Sequence, residues 1–183
     1  MNKKLAAALS GSAVLMLVLS GCGGDDGDEK ANAWAKKVCD QWQPELKKIE
    51  TANADIKRVA TESSKPDEVK QTDSAAFATM SESYKTMGGA LQQAGVPPVK
   101  DGSTTQEAAV KGFEATSKGY ADLKAKMDAL DPADKTKFAD GLKEVAGGLQ
   151  EANKGGQDAL ATLNAGGLNK AISNQKGCQV AAP

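Results

Sequence analysis

The sequence predicts an all-α protein, an antiparallel up-down-up-down four-helix bundle with one end-to-end disulfide. Four segments of the 183-residue chain place apolar residues at alternating spacings of four and three, the period of a helix with one buried face. Short stretches rich in Gly, Pro and Ser separate these segments. Cys39 lies near the start of the first segment and Cys178 follows the fourth, and this topology brings both positions to the same end.

The first predicted helix runs from about 28 to 61. Its inward positions are Ala35, Cys39, Trp42, Leu46, Ile49, Asn53, Ile56 and Ala60. Pro44 removes one helical hydrogen bond and clashes with the preceding turn, so we expect a kink there. The stripe keeps its register across Pro44, which favours one bent helix over two separate helices.

Turn and capping signals bound the second and third helices. Helix two is expected at about 72–94, after a breaker sequence that contains Ser and Pro. Helix three starts at a capping box, formed by Ser103 with Gln106 or by Thr104 with Glu107. The two stripes are Phe77, Met80, Tyr84, Met87, Leu91 and Ala94, followed by Ala109, Phe113, Thr116, Tyr120, Leu123, Met127 and Leu130.

The fourth helix has a clear start signal and a clear stop signal. Asp131 suits the N-cap and Pro132 the first helical position. Gly166 and Gly167 stop the helix, and one more turn is expected around 168–172. The inward stripe is Phe138, Leu142, Val145, Leu149, Ala152, Gly156, Ala159 and Leu163.

Glycines inside the predicted helices are unusual, because each one destabilises a helix by up to about 1 kcal/mol relative to Ala. They are Gly88, Gly89, Gly112, Gly119, Gly141, Gly147, Gly148, Gly155 and Gly156. Close approach of another backbone is one interpretation. The composition bias of a Gly- and Ala-rich chain is the simpler one, and we favour it here.

The N-terminus has the pattern of a secretory signal. Lys3 and Lys4 precede an uncharged run, 5–19, which is too short to span a bilayer. The boundary Leu19-Ser20-Gly21-Cys22 resembles the lipobox of bacterial lipoproteins. The resemblance implies that Cys22 is acylated on its thiol and becomes the mature N-terminus. An ordinary signal peptide with a chance cysteine is the alternative.

Three regions follow from these boundaries. Residues 1–21 form the lipoprotein signal peptide, 22–28 an acylated Cys22 with a flexible acidic tether, and 29–183 the four-helix bundle domain. The chain is similar to small secreted lipoproteins of high-GC Gram-positive bacteria. The residues that carry this likeness are the lipobox, Trp34-Ala35-Lys36-Lys37-Val38-Cys39, Thr72-Asp73-Ser74-Ala75-Ala76-Phe77 and Gly177-Cys178. That family has no assigned activity, so the resemblance implies location and bundle form only.

The remaining cysteines and the missing histidine limit the chemistry. Cys39 and Cys178 are an even pair in an oxidising compartment, which indicates one disulfide. Metal binding by two free thiols is the runner-up, but zinc requires four ligands and the chain contains no histidine. Histidine is also the commonest general base, so we expect no catalytic residues, no metal site and no enzymatic activity.

Asn53 and Thr116 are polar side chains on otherwise apolar or small-residue stripes. They form a possible polar core pair. A buried ligand site is one interpretation of such a pair. A hydrogen-bonded device that fixes helix register is the favoured one.

The function expected from the sequence is that of a lipid-anchored module on the extracytoplasmic face of the cell membrane. It would bind an unknown envelope protein or polymer, as a monomer. The formal net charge of −1 gives no basis for nucleic-acid binding. No cofactor is expected beyond a diacylglycerol and acyl lipid, such as palmitate, on Cys22. A small-ligand carrier, a metal carrier or an enzyme is the alternative.

Overall fold

The structure is a computed structural model that describes residues 25–61 and 63–179. These residues form helices and turns and contain no strand. The long helices are α1 (Asp25–Val59), α2 (Pro66–Ala94), α3 (Gly102–Ala129) and α4 (Lys135–Leu163). A π-helical turn (Asn164–Leu168), the short helix α5 (Asn169–Ser173) and a 3₁₀ turn (Lys176–Cys178) follow. The predicted all-α helical bundle is confirmed.

Three helix starts differ from the predicted ones. α1 begins at Asp25, so residues 25–28 form its first turn instead of a flexible tether. α2 begins at Pro66 and not near 72, because proline fixes the backbone angle that a first helical residue needs. Asp131 accepts a hydrogen bond from the Ala133 N–H in a turn, and Asp134 caps α4 instead.

Neither predicted capping box forms at the start of α3. The N-cap residue is Asp101, which has a left-handed backbone (φ 55°) and makes no side-chain cap. Gln106 instead donates from Nε2 to the carbonyl oxygens of Leu91 and Gly95 at the end of α2. It therefore satisfies carbonyls that the end of α2 leaves without helical partners.

The core consists of two apolar clusters that a chain of aromatic rings connects. One cluster lies around Trp42 and Phe113, and the other lies around Phe77 and Tyr120. Tyr84 packs against both clusters and stacks on Phe113 and Tyr120, with ring centroids 6.1 Å and 5.7 Å apart. The single helix α1 passes through Pro44 without interruption, as the stripe predicted.

Neighbouring helices of the bundle are not all packed equally closely. α1 packs closely on α2, α2 on α3 and α3 on α4, but the backbones of α1 and α4 have little close contact. The residues predicted to be buried together divide accordingly. Trp42, Phe113 and Leu123 are buried, whereas Leu46, Ile49, Tyr84, Leu142 and Leu149 are only half-buried.

Glycines line the seam between α3 and α4. Gly112 and Gly119 lie seven residues apart on α3, and Gly141, Gly148 and Gly155 repeat at the same interval on α4. A Cβ on Gly112 would lie 2.8 Å from the Ala159 Cβ and 2.9 Å from the Gly155 carbonyl oxygen. Close backbone approach, and not composition bias, therefore explains Gly112, Gly119 and Gly155, whereas a Cβ at Gly141 or Gly148 would meet the side chain of Leu130 or Leu123. At Gly89 and Gly147 an added Cβ would meet nothing within 4 Å.

Candidate functional site

The disulfide closes the end of the bundle where α1 begins. Cys39 and Cys178 are bonded, with Cα atoms 5.0 Å apart and a sequence separation of 139 residues. Gly177 lies against the backbone of Cys39, where a Cβ would come 2.5 Å from the Cys39 carbonyl oxygen. The predicted bridge is confirmed, and the disulfide end also holds α5 and the α2–α3 loop. The signal sequence and Cys22 lie outside the described residues.

The predicted polar core pair does not form. Thr116 is fully buried at the α3–α4 seam and donates its hydroxyl to the Gly112 carbonyl oxygen at 3.0 Å. Asn53 is exposed, and the neighbouring Ala52 is buried instead. The buried side of α1 turns toward α2, its close neighbour, which moves Asn53 out of the core.

Other polar side chains are buried that the sequence analysis did not single out. They are Glu45, Asp73, Ser83 and Thr105. The Glu45 carboxylate receives one hydrogen bond, from Lys48 at 2.8 Å, and its second oxygen has no partner in the described residues. Asp73 and Thr105 precede Phe77 and Ala109 by four positions, so extending each stripe backwards by one helical turn would have found them.

Asp73 is the most perturbed of these groups. It is 8% exposed, and its Oδ1 has no hydrogen-bond partner in the part of the chain that the structure describes. Burial raises the pKa of its carboxyl group to about 6, because desolvation disfavours the charged form. A neighbouring hydroxyl, that of Ser74, instead bonds the Asp128 carboxylate.

A groove of about 570 Å³ lies between the second half of α1 and the first half of α2. Small side chains at Ala52, Ala75 and Ala76 leave this space open. Its wall carries three basic groups, Lys47, Lys48 and Arg58, against one acid, Asp55. Arg58 pairs with Glu68 at 3.0 Å, whereas Lys47 pairs with no carboxylate of the described residues. The groove can therefore receive an anionic group at Lys47.

A second cavity, of about 520 Å³, lies at the disulfide end between the start of α3 and the end of α4. We call it the α3 N-terminal cavity. Its lining residues are Lys100, Asp101, Thr104, Thr105, Ala108, Thr162, Ala165, Gly166 and Gly167. Gly167 has a positive φ of 85°, which turns the chain from the π-helical turn toward α5.

Comparisons with protein-family models, with curated proteins and with solved structures find no match for this chain.

Within residues 25–61 and 63–179, no cluster of three or more His, Cys, Asp or Glu side chains has the arrangement of a metal site. In the same residues, no helix combines the length and apolar character required to cross a bilayer.

Proposed function

We propose that the protein is a lipoprotein, anchored to the extracytoplasmic face of the cell membrane through an acylated Cys22. The lipobox supports the anchor. The observation that supports an extracytoplasmic location is the Cys39–Cys178 disulfide, because such bonds persist in oxidising environments and are rare in the cytosol. α1 starts three positions after Cys22. Since a residue spans at most about 3.6 Å, the anchor would hold the start of α1 within roughly 11 Å of the lipid attachment.

Replacement of the lipidated cysteine tests the anchor. Cys22→Ser should move the protein from the membrane fraction to the soluble fraction and abolish incorporation of labelled palmitate. Glu29→Gln, an exposed change a few residues later, should alter neither result. A Cys22→Ser protein that stays in the membrane fraction would contradict the proposal.

Within this setting we infer that the protein is a binding module and not an enzyme. The α1–α2 groove would contact an anionic envelope protein or polymer. Lys48 and Arg58 already pair with carboxylates, so the support for an anionic partner is Lys47, a groove lysine that pairs with no carboxylate of the described residues. The scaffold supports the same role, since the close packing of α2 on α1 holds the two groove walls in fixed register.

Site-specific cross-linking in intact cells tests the groove. A photoreactive amino acid at Ala75, in the groove, should capture an envelope component. The same amino acid at Ala146, exposed on α4 away from the groove, should not capture it. Lys47→Glu should weaken capture from position 75 without loss of helix content by circular dichroism. Equal capture from both positions, or no effect of Lys47→Glu, would remove the groove from the proposal.

A further inference from the structure

Lys70 joins the start of α2 to the end of α3, at the end of the bundle opposite the disulfide. Its ammonium group donates to the Leu130 carbonyl oxygen at 2.7 Å, and Leu130 is the C-cap residue of α3. The Ser74 hydroxyl, one helical turn later on α2, bonds the Asp128 carboxylate. These two hydrogen bonds hold α2 on the last turn of α3, where a helix leaves carbonyl oxygens without helical partners.

A buried carboxyl group lies between these two side chains along α2. Asp73 is 8% exposed, and its Oδ1 is a buried atom without a hydrogen-bond partner among the described residues. It follows Lys70 by three positions, and side chains at this spacing are neighbours on a helix. The ammonium group of Lys70 therefore has a second acceptor on its own helix, in addition to the Leu130 carbonyl oxygen.

The neighbouring helices offer Asp73 no counter-ion in the part of the chain that the structure describes. The charged side chains at this end of α1, α3, α4 and the α3–α4 loop either pair with one another or are exposed. The pairs are Arg58 with Asp55 and Glu68, Lys124 with Asp128, Lys137 with Asp134 and Lys143 with Asp140. The exposed residues are Lys57, Lys126, Asp131, Lys135 and Glu144. Burial accordingly raises the pKa of the Asp73 carboxyl group to about 6.

We propose that Asp73, Lys70 and Leu130 form a pH-dependent switch at this end of the bundle. While Asp73 is protonated, Lys70 bonds the Leu130 carbonyl oxygen. When Asp73 gives its proton to solvent, the buried carboxylate requires a partner, because a buried charge is stable only when it is paired. Lys70 then pairs with Asp73 and leaves the Leu130 carbonyl to solvent, which releases α2 from the end of α3.

The switch acts locally, because other contacts hold the opposite end of the bundle. There Trp34 donates to the Gly95 carbonyl oxygen at 2.7 Å, and Trp42 donates to the Met87 carbonyl oxygen at 3.0 Å. The disulfide closes the same end. Ionisation of Asp73 should therefore loosen the first half of α2 and leave its second half unchanged.

Carbon-13 NMR of the full-length protein in detergent tests the switch from about pH 4 to about pH 8. The Leu130 carbonyl resonance should shift with a midpoint near pH 6, in step with the Asp73 carboxyl resonance. In Asp73→Asn the Leu130 resonance should show no such transition. Glu50→Gln, an exposed change on α1, is the control and should keep it.

Replacement of Lys70 separates the switch from a merely structural contact. If Lys70 pairs with ionised Asp73, Lys70→Met removes a favourable charge and should raise the pKa of Asp73 by about 1 or more. A lysine that only supports the Leu130 carbonyl would leave that pKa unchanged. Lys124→Met, which removes the cation paired with Asp128 at the same end, is the matched control and should also leave it unchanged.

Hydrogen exchange measures whether the opening is local. Above pH 6 the protection of the Phe77 amide should fall relative to that of Leu91, and Asp73→Asn should remove this difference. The switch is wrong if Asp73 or the Leu130 carbonyl does not titrate near pH 6, or if folded Lys70→Met keeps the wild-type pKa at Asp73. Equal loss of protection at Phe77 and Leu91 would also contradict it, since ionisation would then lower only the stability of the whole fold. These measurements use neither the α1–α2 groove nor the lipid anchor, so their outcome is independent of the proposed function.

Discussion

Asp73 places a carboxyl group at a core position of α2, one helical turn before Phe77. A buried acid without partners lowers stability in its charged form, and the protein retains it at the end of the bundle opposite the disulfide. Burial raises its pKa from 3.8 to about 6. Folded protein therefore holds this proton at pH values where the unfolded chain has lost it. Asp73 thus stabilises the fold most below pH 3.8, and this contribution is lost as the pH rises through 6.

Asp73→Asn should accordingly stabilise the protein at neutral pH. The amide keeps the shape of the side chain without its charge, so the free energy of unfolding at pH 7 should rise by up to about 3 kcal/mol. At pH 3.5 the wild type and the variant should be nearly equal. Urea unfolding at both pH values measures the difference. Glu50→Gln, an exposed change on α1, is the control, and a similar effect from it would contradict the assignment to burial.

At the scale of elements, the α3–α4 seam gives glycine a structural role. In the seam an added Cβ would collide with the facing helix. Outside the seam a glycine only lowers the stability of its own helix. Gly112 and Gly147 represent the two cases, since a Cβ at Gly112 meets Ala159 and one at Gly147 meets nothing within 4 Å. Substitution by alanine should therefore lower the free energy of unfolding at Gly112 and raise it at Gly147.

Gly112→Ala should lower the free energy of unfolding by about 1–3 kcal/mol, the usual effect of overpacking. Gly147→Ala should raise it by up to about 1 kcal/mol, because alanine favours the helix more than glycine does. Chemical denaturation of both variants under identical conditions is the measurement. Stabilisation by Gly112→Ala would show that the seam is not packed as described, and destabilisation by Gly147→Ala would show that the surroundings of Gly147 are not open.

Periodicity predicted the helices and most of their buried positions, but not how each helix is rotated or capped. Ala35, Trp42 and Phe113 repeat at heptad positions and are buried as predicted. The prediction for Asn53 was wrong because its exposure depends on which neighbour α1 packs against. The apolar pattern of a single helix does not specify that neighbour. Gln106 matched a local capping box, yet its side chain bonds α2, a contact that only tertiary structure creates. The α3 N-terminal cavity joins residues about 60 positions apart, beyond the reach of any local pattern.

At the scale of the whole molecule, the disulfide links the first helix to the last residues of the described chain. The cysteine prediction succeeded because topology alone fixes which ends meet. The bond also compensates for the open side of the bundle, since α1 and α4 have little close backbone contact. It joins the C-terminal 3₁₀ turn to α1, and thereby keeps the chain that follows α4 on the first helix.

Loss of this bond should be costly. The double variant Cys39→Ser/Cys178→Ser should have a free energy of unfolding about 2–5 kcal/mol lower, because the unfolded chain is no longer cross-linked over 139 residues. Unfolded, non-reduced mature protein should show no free thiol, since Cys22 is acylated under the proposal. Two titratable thiols in protein from the cell surface would contradict the bridge.

Because α1 continues through Pro44, its length determines how far Lys47 lies from the start of the helix. Lys47 lies 22 residues after Asp25 on one uninterrupted helix, a rise of about 33 Å. With the lipid at Cys22, a helix standing upright on the bilayer would hold the entrance of the α1–α2 groove at about that height, whereas the α3 N-terminal cavity would lie closer to the membrane. The two cavities would then lie at different heights above the membrane, and the length of α1 would set the distance between them.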